Sequence, residues 1–180
     1  LPAEIGQLTK LSSLVIETIQ ESWPRNEGQL KSLPPELGQL TNLTSLSIIS
    51  DTLTGLPGEI GQLTRLESLK INCKKLVEIP EEICGMDHLK ELKVDLPSLK
   101  RLPSLRFSGN PSSLILDFPN LYSLPEDIGM LTNLTRLTIK CNRLITLPAE
   151  IGRLTNLTSL IISSQSLTQL PAEIGQLSNL

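Results

Sequence analysis

Few side chains in this 180-residue chain could do chemistry. There are three cysteines, Cys73, Cys84 and Cys141, one histidine, His88, and a mid-chain group of charges that includes Lys93, Asp95, Asp117 and Lys140. The cysteines show no C-x-x-C spacing, so neither a zinc knuckle nor a paired disulfide framework is indicated. Asp95 and Asp117 are the more interesting pair. Two carboxylates on adjacent strands lie about 5 Å apart, close enough to share a proton or a metal, with Lys93 and Lys140 near enough to neutralise them. Whether that chemistry is available depends on what carries the two residues.

The carrier is a repeat. The phrase LPAEIGRLTNLTSLIISSQSLTQ, Leu147 to Gln169, restarts at Leu170, and the same words open at Leu1, Leu33, Leu56, Ile79, Leu102 and Leu124, with a dominant period of 23 residues. Self-similarity at that spacing indicates a stack of small units. Leucine accounts for 38 residues while aromatics make up only 2%, so the core must be built from one repeated aliphatic shape. In the unit opening at Leu33 the apolar residues are Leu33, Leu37, Leu40, Leu43, Leu46, Ile48 and Leu53. Leu46 and Ile48 differ by two, a strand period; Leu37, Leu40 and Leu43 step by three, the period of a tight helical turn. One unit cannot bury its own leucines, so units must stack, with strands in a parallel sheet and helical turns opposite.

The run L-x-x-L-x-L/I, at Leu43 to Ile48, Leu66 to Ile71, Leu134 to Ile139 and Leu157 to Ile162, resembles the leucine-rich-repeat family across the whole chain. The resemblance implies an α/β class fold: a right-handed leucine-rich-repeat solenoid, its parallel β-sheet on the concave face and short helical or 3₁₀ turns on the convex face. Residues 1–180 then form a single solenoid of seven repeats plus one partial one, uncapped at both ends and so expected to be a segment of a longer protein. LPxEIGxLTxL is similar to intracellular Ras-group repeats, bacterial leucine-rich repeats and plant intracellular immune receptors. The family pattern L-x-x-L-x-L-x-x-N places an asparagine where this chain has Ile19, Asp51, Lys74, Pro97, Pro119, Asn142 and Gln165. Only Asn142 fits, which predicts that other groups satisfy those turns or that the ladder is loose and the curvature irregular.

Two units break the rhythm. The first carries extra residues after its strand, expected to leave the sheet edge as a polar loop holding Trp23, the single tryptophan. The fifth, from Leu102 to Ser123, replaces its helical turn with SLRFSGNPSS and gathers Phe107, Phe118 and Tyr122, read as a local core. Pro and an acidic residue at the head of each unit suit the start of a helical turn, which accounts for the row from Glu4 to Glu173. His88 reads as an exposed spacer. The Asn-Leu-Thr sequons at Asn42, Asn133 and Asn156 read as repeat consensus.

Alternation along each strand turns three rows to solvent. One runs Ser13, Ser45, Ser68, Glu91, Ser113, Arg136, Ser159; the next Val15, Ser47, Lys70, Lys93, Ile115, Thr138, Ile161; the third Glu17, Ile49, Asn72, Asp95, Asp117, Lys140, Ser163. Charges of both signs surrounded by small residues suit a protein or peptide partner, bound by Lys70, Glu91, Lys93, Asp95, Asp117, Arg136 and Lys140, with Trp23 as a lip. A sugar would want aromatic stacking and a nucleic acid an unbroken basic stripe. A net charge of −3 and a pI near 5.3 argue against nucleic acid and anionic membrane alike. An open sheet offers no closed pocket, so no enzyme activity, cofactor, metal or small-molecule substrate is expected. Cys73 and Cys141, three units apart and so about 14 Å from each other, are expected as reduced thiols, which points to a cytoplasmic setting. Two other settings remain: an extracellular recognition or adhesion domain, and the substrate-recognition part of a larger enzyme such as a ubiquitin ligase.

Overall fold

A computed structural model describes residues 1–18, 30–99 and 111–180. Among them are seven strands: β1 (Ser13–Thr18), β2 (Ser45–Ser50), β3 (Ser68–Cys73), β4 (Glu91–Asp95), β5 (Ser113–Asp117), β6 (Arg136–Lys140) and β7 (Ser159–Ser163). They form one parallel sheet in sequence order. Short 3₁₀ turns occur at Ala3–Gln7, Pro35–Gln39, Gly58–Gln62, Glu81–Gly85, Glu126–Met130, Ala149–Arg153 and Ala172–Gln176, each preceded by proline. The expected alternation of one strand and one tight turn is met in each unit whose turn and strand are both described; in the fifth unit most of the segment SLRFSGNPSS lies outside the described residues.

Proline stands at the N-cap in extended backbone, one residue before the turn itself. Its carbonyl accepts the first turn bond, as from Leu37 N–H to Pro34 O at 3.1 Å and from Ile60 N–H to Pro57 O at 3.1 Å. Lacking an N–H and fixed in φ, proline sets the entry direction without orphaning a donor. An acidic residue occupies the first turn of all seven.

Between sheet and turns lies an aliphatic core. Strand register stacks Leu46, Leu69, Leu92, Leu114 and Leu137 in one file and Ile48, Ile71, Val94, Leu116 and Ile139 in another, all buried. A fully buried side chain of this kind contributes about 1.5–3 kcal/mol, and each needs a neighbouring coil to be covered. The strand at the far end illustrates this: Leu160 and Ile162 of β7, with a partner on one side only, are only partly buried.

Adjacent coils approach closely at Gly6, Gly38, Gly61, Gly129 and Gly152 of their turns, whereas a Cβ on Gly85 or Gly175 would meet nothing within 4 Å. A Cβ on Gly61 would stand 2.8 Å from the Glu82 carbonyl oxygen, and one on Gly129 would stand 2.6 Å from that of Glu150. Glycine is required there for space.

The asparagine slot of the family pattern proves to be the wrong one for this chain. Alternation continues through the last residue of β2 and β3 and one residue past β4, β5 and β6, so the inward group is the residue before that slot: Ser50, Cys73, Leu96, Phe118 and Cys141 are buried, whereas Lys74, Asn142 and Gln165 are exposed. Ser50 does the bonding that the family asparagine was expected to do. Its Oγ accepts from Leu53 N–H at 3.0 Å, Thr52 N–H at 3.2 Å and the Thr18 hydroxyl at 2.7 Å. In the outward slot, Lys74 forms an ion pair with Asp51 at 2.9 Å.

The other side of the sheet has its own ladder. Asn42 Nδ2 donates to Thr9 O at 2.8 Å, Asn156 Nδ2 to Thr132 O at 2.8 Å and Asn179 Nδ2 to Thr155 O at 2.7 Å. Thr44, Thr135 and Thr158 hydroxyls likewise bond the preceding coil. Where the Asn-Leu-Thr phrase stands at Asn42 and Asn156 it thus ties its coil to the one before, using the amide nitrogen that a glycan would take.

Candidate partner-binding surface

The three outward rows stand as the repeat pattern predicts, and equivalent residues stay in register even where a coil is longer, as at Ser13 and Ser45, or one residue shorter, as at Asp95 and Asp117. Ser68, Glu91, Ser113 and Arg136 are successive partners, as are Lys70, Lys93, Ile115 and Thr138, and Asn72, Asp95, Asp117 and Lys140. Lys70, Lys93, Asp95 and Asp117 are half-buried by their row neighbours, and Glu91, Arg136 and Lys140 are exposed. Ser113 departs from expectation: it is 7% exposed, a short side chain between the longer Glu91 and Arg136. Trp23 and Phe107 fall outside the described residues.

The carboxylates of Asp95 and Asp117 occupy paired positions on β4 and β5. Lys140 Nζ lies 3.7 Å from Asp117 Oδ2. Partial burial, and then the Asp117 charge, push the Asp95 carboxyl above its ordinary value against the opposing pull of Lys93, Lys140 and Lys70. Other coil-to-coil pairs follow the same 23-residue spacing: Lys90 to Glu67 at 2.8 Å and Arg65 Nη1 to Asn42 Oδ1 at 3.0 Å. Exposed pairs of this type contribute about 0–1 kcal/mol each, so they order the surface more than they hold the fold.

No disulfide joins Cys73, Cys84 or Cys141 to one another. Burial raises Cys73 and Cys141 to about 11, and burial with the nearby Glu81 charge raises Cys84. Among the described residues no three His, Cys, Asp or Glu side chains converge, and no helix is long and apolar enough to cross a membrane.

The aromatic group of the fifth unit divides in two. Phe118 fills the inward slot and is fully buried, but Tyr122 is 50% exposed and accepts a 2.6 Å hydrogen bond from Arg143 Nη1. Reading the aromatics as one local core missed this pair; the usable signal was an arginine one coil after the single tyrosine.

No family model matches the sequence, and no curated protein matches it either. Solved structures do. A leucine-rich-repeat protein of Leptospira interrogans superposes over 100% of this chain with a TM-score of 0.79 and 33% identity. An internalin of Listeria monocytogenes covers 99% of the chain with a TM-score of 0.71 and 22% identity. The leucine-rich-repeat domain of the type III effector XopL covers 93% with a TM-score of 0.61 and 23% identity. The chain spans 44% of the Leptospira protein, 48% of the internalin and 74% of the effector domain. The parallel sheet in sequence order, the 23-residue unit and these superpositions give one conclusion: the chain is a leucine-rich-repeat protein.

Proposed function

We propose that the chain is a protein-interaction module whose partner, a protein surface or extended peptide, lies along the concave sheet across β3 to β6. One observation supports the reading. Lys70, Glu91, Lys93, Asp95, Asp117, Arg136 and Lys140 share one open sheet face, with Ser, Thr and Ile between them. Four cations and three anions leave the strip close to neutral, so it selects by the order of charges more than by bulk attraction. Trp23 remains part of the proposal as a lip. The reading requires no cofactor and no reaction.

Three cysteines with no disulfide among them favour a reducing compartment, and we place the module in the cytoplasm on that ground. An adhesion domain or the substrate-recognition part of a larger enzyme would use the same face in another setting.

The test starts from peptides selected by display on the native chain. Ligands of the concave strip should lose at least about tenfold in affinity to the double variant Lys93→Glu, Arg136→Glu. Their binding should protect β3 to β6 amides from hydrogen exchange. Selected ligands that bind the double variant as tightly as the parent place the interface elsewhere.

A further inference from the structure

The edge of the solenoid where the chain leaves β4, β5 and β6 carries a cleft separate from the outward rows of the sheet. It is a half-open cleft of about 630 Å³, and the described residues lining it are Pro97, Ser98, Asn120, Tyr122 and Arg143. Three successive coils contribute, and their side chains are tied down. Asn120 Nδ2 donates to Pro97 O at 2.7 Å, and the Ser98 hydroxyl donates to the Lys74 carbonyl. Arg143 Nη1 bonds the Tyr122 hydroxyl at 2.6 Å, with the guanidinium carbon 5.7 Å from the ring centroid.

These bonds leave a defined set of unused groups. A guanidinium has five N–H donors, and one bond to a phenol leaves most of them for a ligand. No carboxylate among the described residues pairs with Arg143. Asn120, its nitrogen committed to Pro97, offers a carbonyl oxygen as acceptor, and Ser98 offers the lone pairs of a hydroxyl whose proton is engaged. The Tyr122 ring, half-exposed, and Pro97 supply flat apolar surface. With one cation among the described lining residues, the site matches a singly charged anion better than a phosphate, and a guanidinium fork matches a carboxylate in geometry.

We propose that this cleft binds a short extended peptide segment carrying a carboxylate beside a flat apolar side chain. The carboxylate takes the open edge of the Arg143 fork, the apolar side chain lies against Tyr122 and Pro97, and Asn120 and Ser98 accept peptide N–H groups. The volume falls within the usual range for ligand sites and holds a few residues. Because the lining follows the strands, the cleft can be filled while the sheet face is occupied.

Tyr122 is the single tyrosine, so chain labelled with 3-fluorotyrosine has one fluorine resonance at the site. N-acetyl-phenylalanine presents a terminal carboxylate, N-acetyl-aspartyl-phenylalaninamide a side-chain carboxylate, and N-acetyl-phenylalaninamide none. A saturable shift is expected with at least one of the first two and not with the third; which of the two binds tells the source of the carboxylate. Arg143→Gln should weaken that binding at least about tenfold, and Arg143→Lys, which keeps the charge but loses the fork, should fall between. The proposal is overturned if neither carboxylate gives a saturable shift, if the uncharged amide binds as well, or if Arg143→Gln binds like the parent.

Discussion

Asp95 and Asp117 are register partners on β4 and β5, and they do not share the available cations equally. Lys140 approaches Asp117 to 3.7 Å, while at Asp95 burial and the Asp117 charge outweigh the pull of Lys93, Lys140 and Lys70 and raise its carboxyl. Folding therefore favours protonated Asp95. The stability linked to this site is fully present below the unfolded carboxyl value of about 4 and is lost as pH rises through the higher folded value. Asp95→Asn should thus raise the melting temperature slightly near pH 7, with the gain shrinking toward zero near about pH 3. Thermal unfolding of both chains across that range checks it. A lower melting temperature for the variant at neutral pH would mean that the lysines outweigh the repulsion.

Ser50 and Asn142 offer a direct comparison of the two candidate ladder slots. Ser50 is 1% exposed and accepts from two backbone N–H groups, so Ser50→Ala strands buried donors. The expected loss is about 1–3 kcal/mol. Asn142 is exposed, and its backbone carbonyl, which accepts from Gln165 N–H, survives truncation of the side chain. Asn142→Ala should stay within about 0.5 kcal/mol of the parent in denaturant titration. The reverse ranking would restore the family slot.

That comparison also marks where the sequence was readable. The inward files and outward rows were legible because period two along a strand and the recurring leucine phrase leave little freedom in register; Lys93 beside Lys70, 23 residues on, and Asp117 beside Asp95, 22 residues on, follow from aligning the phrase. The turn after each strand was less legible, since the family pattern and simple alternation disagree by one residue there and only packing decides between them. At Ser50, Cys73 and Cys141 alternation prevailed, carrying small side chains inward. Tyr122 was misread for a different reason. Chain proximity grouped it with Phe118, but its environment is set by Arg143 one coil later, a relationship visible only once the coils are stacked.

Cys73 and Cys141 are fully buried with thiols at about 11, so near pH 7 the thiolate fraction is on the order of one in ten thousand. Iodoacetamide should leave both untouched in the native chain and modify them once guanidinium unfolds it. Cys84, half-buried and also raised, should react slowly and before the other two. Mass spectrometry of the alkylated chain reads each site separately. Rapid native labelling of Cys73 or Cys141 would show that the coils open locally around β3 or β6.

Gly61 and Gly175 occupy the same place in two turns but face different surroundings. A Cβ on Gly61 would lie 2.6 Å from Glu82 Cβ and 2.8 Å from its carbonyl oxygen, whereas one on Gly175 meets nothing within 4 Å. Neither has the positive φ that would penalise alanine on backbone grounds. Gly61→Ala must therefore push two coils apart, at an expected cost of about 1–3 kcal/mol, or roughly 2–4 °C in melting temperature per kcal/mol. Gly175→Ala should be neutral or stabilise by about 0.4–1 kcal/mol, because alanine narrows the unfolded ensemble. Differential scanning calorimetry of the two variants separates the causes. Equal destabilisation would mean that the turn backbone itself needs glycine, and a harmless Gly61→Ala would mean that the coils can move apart without loss.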